Sequence, residues 1–337
     1  MLKAVDVGFG RVKAMSEHRA IEFPSVVGNF RPVRFSSGME DKDLVNHLCL
    51  DYAGQKYFAG NIAYQQSQAR VTMSADRFTS KEGLALMFGA LVVLSHQNDC
   101  DVNLVTGLPV NEYAAGKVNY REHLLGRHSI KLISPDGTTG TTYIFDLNDV
   151  KVLPQPVGTI FDAVLDDKGE LKDKTLAGGR IAVLDIGRNT VDLAMTDKLS
   201  FIDRQSVSYD DIGLDDAYRE LSLELKKSLG VNIPPESIEP YIVGNEIEYK
   251  GKRRSIEAEK RIVFQGQAEK IVSRALNVWK DIWQINQIIV TGGGAVMLGS
   301  YIANALNAPD QVQVYQGGDA SFSNVRGFYK FGRRAWK

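Results

Sequence analysis

The chain has 337 residues, a net charge of −1, 44% hydrophobic residues and 24% charged residues. That length suits two domains with sizeable cores, and the balanced charge excludes a surface built to coat nucleic acid. The opening Met1–Asp6 has no apolar leader core, and the longest apolar run, Leu84–Leu94, is about half a membrane span, so a cytoplasmic protein is expected.

In chain order, a strand–turn–strand covers Leu2–Met15. A region rich in turn formers follows to Phe78, with a strand at Gln55–Ala59, and reads as a small insertion over about 25–78. Thr79-Ser80-Lys81-Glu82 fits a capping box at the head of a buried apolar helix ending near Leu94. Val102–Thr106 is a strand halted by Gly107-Leu108-Pro109, and a helix is expected around Asn119–Arg127. Ser129–Ser134 and Thr141–Leu147 flank Pro135-Asp136-Gly137 as a hairpin. Asp149–Leu153 reads as a further strand before Pro154-Gln155-Pro156, and Gly158–Leu165 has helical spacing.

A polar stretch, Asp166–Gly179, connects to a second half that repeats the plan. It opens with a hairpin at Ile181–Thr196 and a strand at Leu199–Ser208. An amphipathic helix at Leu214–Leu229 comes next, then a break at Ile233-Pro234-Pro235-Glu236. A long helix from about Ser255 to Ile282 places Trp279 and Trp283 at i, i+4 as core residues. A strand at Gln287–Val290, a glycine run and a helix to Leu306 complete it. Cys49 and Cys100 have no metal-ligand spacing and read as buried thiols, and the five scattered histidines are given no catalytic role.

The chemistry lies in the two hairpin turns. Asp6-Val7-Gly8-Phe9-Gly10 and Asp185-Ile186-Gly187-Arg188-Asn189-Thr190 each place an Asp in a buried strand, a costly position, just before a Gly turn. Gly8, Gly10 and Gly187 let backbone amides approach an anion, and Asn189 and Thr190 add side-chain donors. Two such halves facing one phosphate chain need a cation, and one or two carboxylates suit a hydrated Mg²⁺, so Asp6 and Asp185 are the candidate metal pair. Lys13, on the same side of its strand as Arg11, is placed to reach a phosphate. Later, Thr291-Gly292-Gly293-Gly294-Ala295 joins a buried strand to a helix, a turn on which a nucleotide can lie flat. It is neither a Walker A loop nor a Rossmann fingerprint.

The order of these motifs resembles the actin-like ATPase superfamily. The segments that carry the likeness are Asp6–Lys13, Asp185–Asp192, Thr291–Ala295, Leu153–Gly158 and Asn324–Phe328. The resemblance implies an α/β actin-like fold of two duplicated RNase H-like domains around a nucleotide cleft. It implies domain I at 1–153, domain II at 154–320 with an insertion at about 209–270, and a C-terminal crossover at 321–337. It also implies binding of ATP or GTP with Mg²⁺ by Gly8, Phe9, Gly10, Arg11, Lys13, Gly187, Arg188, Asn189, Thr190, Gly292, Gly293, Gly294 and Ala295. Gln155 would orient the attacking water, with Asp6 and Asp185 holding the metal through water. Arg188 and Asn189 depart from the small residues frequent in relatives. Glu220 and Lys227 are guesses for the wall that selects the base.

Size and the Thr106–Pro109 and Asn324–Gly327 elements look most like the ParM/StbA-type plasmid-segregation bacterial actins. That likeness implies a filament of head-to-tail subunits and a DNA-bound adaptor, with no direct contact to nucleic acid or membrane. A metabolic kinase or partner-activating ATPase of the same superfamily is the alternative.

Overall fold

The computed structural model describes residues 1–34, 43–69, 76–95 and 101–337, apart from the side chains of Gly317 and Asp319. Cys100 and His96 lie outside the described residues. The chain forms two compact units, Met1–Lys174 with Phe322–Lys337, and Thr175–Ser321.

The first unit begins with three antiparallel strands, β1 (Leu2–Val7), β2 (Arg11–Met15) and β3 (Ala20–Pro24). Then come β4 (Val27–Asn29), β5 (Leu48–Tyr52), β6 (Gln55–Ala59), α1 (Asn61–Gln66) and α2 (Lys81–Val93). β7 (Asp101–Leu108), α3 (Val110–Leu124), β8 (Gly126–Ile133), β9 (Gly140–Pro154) and α4 (Val157–Val164) follow. All the strands join one nine-stranded sheet in the order β3-β2-β1-β7-β9-β8-β5-β6-β4. The insertion read at about 25–78 therefore extends the main sheet through the β5–β8 pairing. α2 is buried from Gly83 through Val93, as its unbroken apolar run requires. The buried amine of Lys3 donates to Leu94 O at 2.6 Å and so caps the end of that helix.

The second unit opens with a short helix, α5 (Lys174–Ala177), then β10 (Arg180–Ile186), β11 (Val191–Asp197), β12 (Ser200–Phe201) and β13 (Val207–Tyr209). α6 (Leu214–Leu229), α7 (Glu239–Gly244), β14 (Glu246–Tyr249), β15 (Lys252–Ser255) and α8 (Glu257–Val278) come next. β16 (Gln287–Thr291), α9 (Ala295–Leu306) and β17 (Val312–Val314) complete the sheet, ordered β12-β11-β10-β16-β17 with β13 also on β11. α10 (Gly317–Ala335) carries the chain back into the first unit.

Both sheets share a core pattern. An antiparallel hairpin (β1–β2, β10–β11) is followed outward by two parallel strands (β7 and β9, β16 and β17). The duplicated α/β architecture expected from the paired motifs is thus present. Among the described residues no helix is long and apolar enough to cross a membrane.

Several local readings need correction. Ser80, not Thr79, caps α2: its Oγ accepts from Gly83 N at 3.1 Å, while Thr79 Oγ1 donates to Asp76 O. α3 starts at Val110, directly after Pro109 has ended β7, so it is longer than the expected helix at 119–127. Asp149–Leu153 belongs to β9, a single strand whose register against β7 shifts at Val102/Asn103. Leu199–Ser208 is interrupted by a 3₁₀ turn at Asp203–Gln205. Trp279 is buried, but Trp283 lies past the helix end and is 75% exposed. Residues 154–174, assigned by sequence to the second domain, pack in the first unit, because α4 is bound to α10.

That α4–α10 contact is built from small residues and charge. A Cβ on Gly327 would overlap the carbonyl of Gly158, so the two helix backbones touch. Asp162 on α4 accepts from Arg326 Nη2 at 2.7 Å and Lys330 Nζ at 2.8 Å, with its side chain 5% exposed. Asp162→Ala strands two cations in a mostly buried position and is expected to destabilise the first unit by about 3–5 kcal/mol. Urea unfolding measures this, and an unchanged midpoint would contradict it.

Candidate functional site

In the first unit the hairpin register sets Asp6 opposite Lys13, and Lys13 opposite Glu22. Cross-strand partners share a sheet face, so these three form one charged row. Asp6 is 4% exposed and accepts from Gln155 Nε2 at 2.9 Å. Gln155 reaches it because β9 runs parallel to β7, and Gln155 N donates to Leu108 O at 2.8 Å. Gly107 makes the room: a Cβ there would lie 2.8 Å from Gln155 Cγ and 2.6 Å from Phe328 Cζ. The structure thus joins two of the three catalytic candidates. Lys13 is half-buried beside them. Arg11 is exposed and ion-paired with Glu22 at 3.0 Å.

The turn Gly8-Phe9-Gly10 closes through Gly8 N to Arg11 O at 3.1 Å. Arg77, a residue sequence reasoning missed, is 3% exposed and donates from Nη2 to Gly8 O at 2.8 Å. Burial pulls its guanidinium down to about 10, against the opposing charges of Glu112 and Asp6, so it stays charged at neutral pH. Burial also raises the carboxyl of Glu112 and, strongly, the phenol of Tyr120. No motif marks Arg77 in the sequence. Its position just ahead of the helix cap is the one available signal.

In the second unit Asp185 stands opposite Asp192, and Asp192 opposite Ser208. Asp192 occupies the register position that Lys13 holds in the first hairpin. It accepts from Ser208 Oγ and, at 3.5 Å, from Thr190 Oγ1. Two facing carboxylates with a hydroxyl alongside suit a hard divalent cation.

The turn Gly187–Thr190 is strapped to the head of α6. Gly187 O accepts from Leu214 N at 3.1 Å, and Arg188 O from Asp215 N at 2.8 Å. In a trans peptide the N–H points opposite to the C=O. The amides of Arg188 and Asn189 therefore point away from α6, as an anion-binding turn requires. Gly213 permits the strap, since a Cβ on it would overlap Arg188 O. The head of α6 is already used, its Gly213 N bound by Asp216 Oδ2 at 2.8 Å. The Arg188 side chain turns to Asp215, with Nε 2.9 Å from Oδ1.

The glycine run divides in two. Gly292 has φ +89°, and a Cβ there would overlap Asp185 Oδ1 and Ile186 O. Gly294 N donates to Ile186 O at 2.7 Å, and Thr291 Oγ1 to Ala320 O at 2.9 Å. Gly292 and Gly294 thus pack the turn onto β10, Ala295 is buried behind it, and only Gly293 has open space over its Cα. Of the residues named for the base wall, Glu220 is paired with Lys270 and Lys227 with Glu224, both at the surface of the second unit.

Residues 4–158 match the family model for the N-terminal domain of actin-like proteins, and residues 183–304 match that for the C-terminal domain of archaeal MreB-like actin homologues. In sequence, no curated protein matches the chain. Among solved structures, Ta0583, an archaeal actin homologue in complex with ADP, superposes with a TM-score of 0.76 at 20% identity, covering 99% of both chains. A 15-stranded ParM filament from Clostridium botulinum gives 0.73 at 21% over 99% of both. Bacillus thuringiensis ParM with AMPPNP gives 0.72 at 17% over 97% of both. At these identities the shared property is the fold.

Gly292→Ala is expected to lower the thermal midpoint of the second unit, costing more than about 1 kcal/mol from strain and overlap. Gly293→Ala should leave the midpoint unchanged. Equal midpoints for the two variants, read by circular dichroism, would contradict the packing described.

Proposed function

This chain belongs to the actin-like proteins, and on that footing we propose that it is a Mg²⁺-dependent ATPase that polymerises when nucleotide is bound. The observation that carries the reading is the buried Gln155–Asp6 hydrogen bond at 2.9 Å beside a Gly turn. It is supported by the matching turn in the second unit, whose carbonyls are tied back to α6.

The turn amides bind the phosphates, with Lys13 adding charge. Gln155, its amide fixed by Asp6, keeps its side-chain carbonyl to accept from a water and aim it at the γ-phosphate. Mg²⁺, when bound, neutralises phosphate charge, and Asp6 and Asp185 would hold it through water, with Asp192 beside Asp185 as a further acceptor. Gly293 and its neighbours lie along the adenosine. Arg188, committed to Asp215, serves the turn through its backbone rather than its guanidinium.

The solved filament of the ParM relative favours self-assembly, head to tail, through a heterologous contact that does not close. A net charge of −1 fits cargo capture through a DNA-bound adaptor in the cytoplasm, as in plasmid partition.

Pelleting and light scattering should show polymer with Mg²⁺ and ATP and none without nucleotide. Flat scattering at high protein concentration, with phosphate still released, would remove the filament from the account. Gln155→Ala should lower kcat at least ~100-fold with ATP affinity nearly kept, and Asp185→Asn should abolish Mg²⁺-dependent phosphate release. Normal turnover in both variants would overturn the site.

A further inference from the structure

The two phosphate turns need the same thing and obtain it differently. A turn that binds an anion through its amides must keep its carbonyls off that anion. In the second unit the backbone amides of Leu214 and Asp215 take the carbonyls of Gly187 and Arg188. Among the described residues no helix-head amide is bonded to a carbonyl of the first turn. In its place Arg77 Nη2 donates to Gly8 O at 2.8 Å and to Ser25 Oγ at 3.1 Å, and Ser25 N donates to Gly10 O at 3.0 Å.

We infer that Arg77 is a positioning residue of the first phosphate turn, holding the Gly8 carbonyl back so that the Phe9 amide faces the nucleotide. The Gly8 carbonyl and the Phe9 N–H belong to one peptide plane, so fixing one direction fixes the other. The guanidinium also lies over the Phe9 ring, 4.3 Å from its centroid, which holds the turn from its side chain as well. Arg77 is itself fixed. Its carbonyl accepts from Ser80 Oγ at 2.9 Å and packs against Gly83, where no Cβ fits. Burial against Phe9 and Phe78 strengthens its hydrogen bonds. Among the described residues its Nη1 is buried without a partner, so the residue carries a desolvation cost that packing alone does not explain.

This rests on the nucleotide reading above, and the experiment separates the two. Mg²⁺-ATP affinity is measured by titration for the wild-type chain, Arg77→Met, Arg77→Lys and Ser25→Ala, each with its melting midpoint. Loss of such a supporting contact weakens a site by ~10- to 100-fold. Arg77→Met is expected in that range, Arg77→Lys between it and wild type, and Ser25→Ala a few-fold weaker than wild type. Rescue by lysine together with a kept midpoint is what a merely structural arginine would not give. Wild-type affinity in a folded Arg77→Met overturns the proposal. If that variant does not fold, wild-type affinity in both Arg77→Lys and Ser25→Ala overturns it. Absence of Mg²⁺-ATP binding by the wild-type chain instead defeats the nucleotide reading.

Discussion

A backbone turn binds a phosphate only when its amides face the anion and its carbonyls face something else. Each peptide group is one dipole, so the two requirements are a single constraint on orientation. In this chain the carbonyl half of that constraint is met twice, with unlike parts. A helix head takes the carbonyls of Gly187 and Arg188, and one buried guanidinium takes that of Gly8. The catalytic candidates depend on the same framework, since Asp6 closes β1 just ahead of its turn and is the residue that Gln155 binds.

The fold supplies these parts by duplicating a hairpin and then varying its surroundings. In both units the Asp sits at the end of a buried central strand, with the second hairpin strand antiparallel to it and a parallel strand on its other side. The register then decides the chemistry of the row. Position seven after Asp6 is Lys13, and position seven after Asp185 is Asp192. One half therefore offers a cation beside its carboxylate and the other offers a second carboxylate. Close approach is achieved by removing side chains, at Gly107 under Gln155, at Gly292 against Asp185, and where Gly158 meets Gly327.

Strands and turns were legible in the sequence wherever an apolar run met a Gly or Pro stop. β1, β2, β10, β11 and β16 emerge close to where their residues place them, because buried strands have few alternatives. Gln155 was singled out through the family resemblance of its Leu153–Gly158 segment. Arg77 was not, since what makes it matter is contact with Gly8, 69 positions away, and no local pattern encodes such a contact. The same holds for the pairing of Arg188 with Asp215, 27 positions away. Trp283 misled through its i, i+4 spacing from Trp279, because the helix ends at Val278 and the spacing loses its meaning there. The start of α3 was misplaced for a related reason, since Pro109, which ends β7, also marks where α3 begins.

The most direct test is a structure of the chain bound to Mg²⁺ and a non-hydrolysable ATP analogue. The Phe9, Arg188 and Asn189 amides are expected to donate to phosphate oxygens while Gly8 O stays on Arg77 and Gly187 O stays on α6. A nucleotide bound away from these turns, or a turn whose carbonyls have swung toward the phosphates, would contradict that expectation.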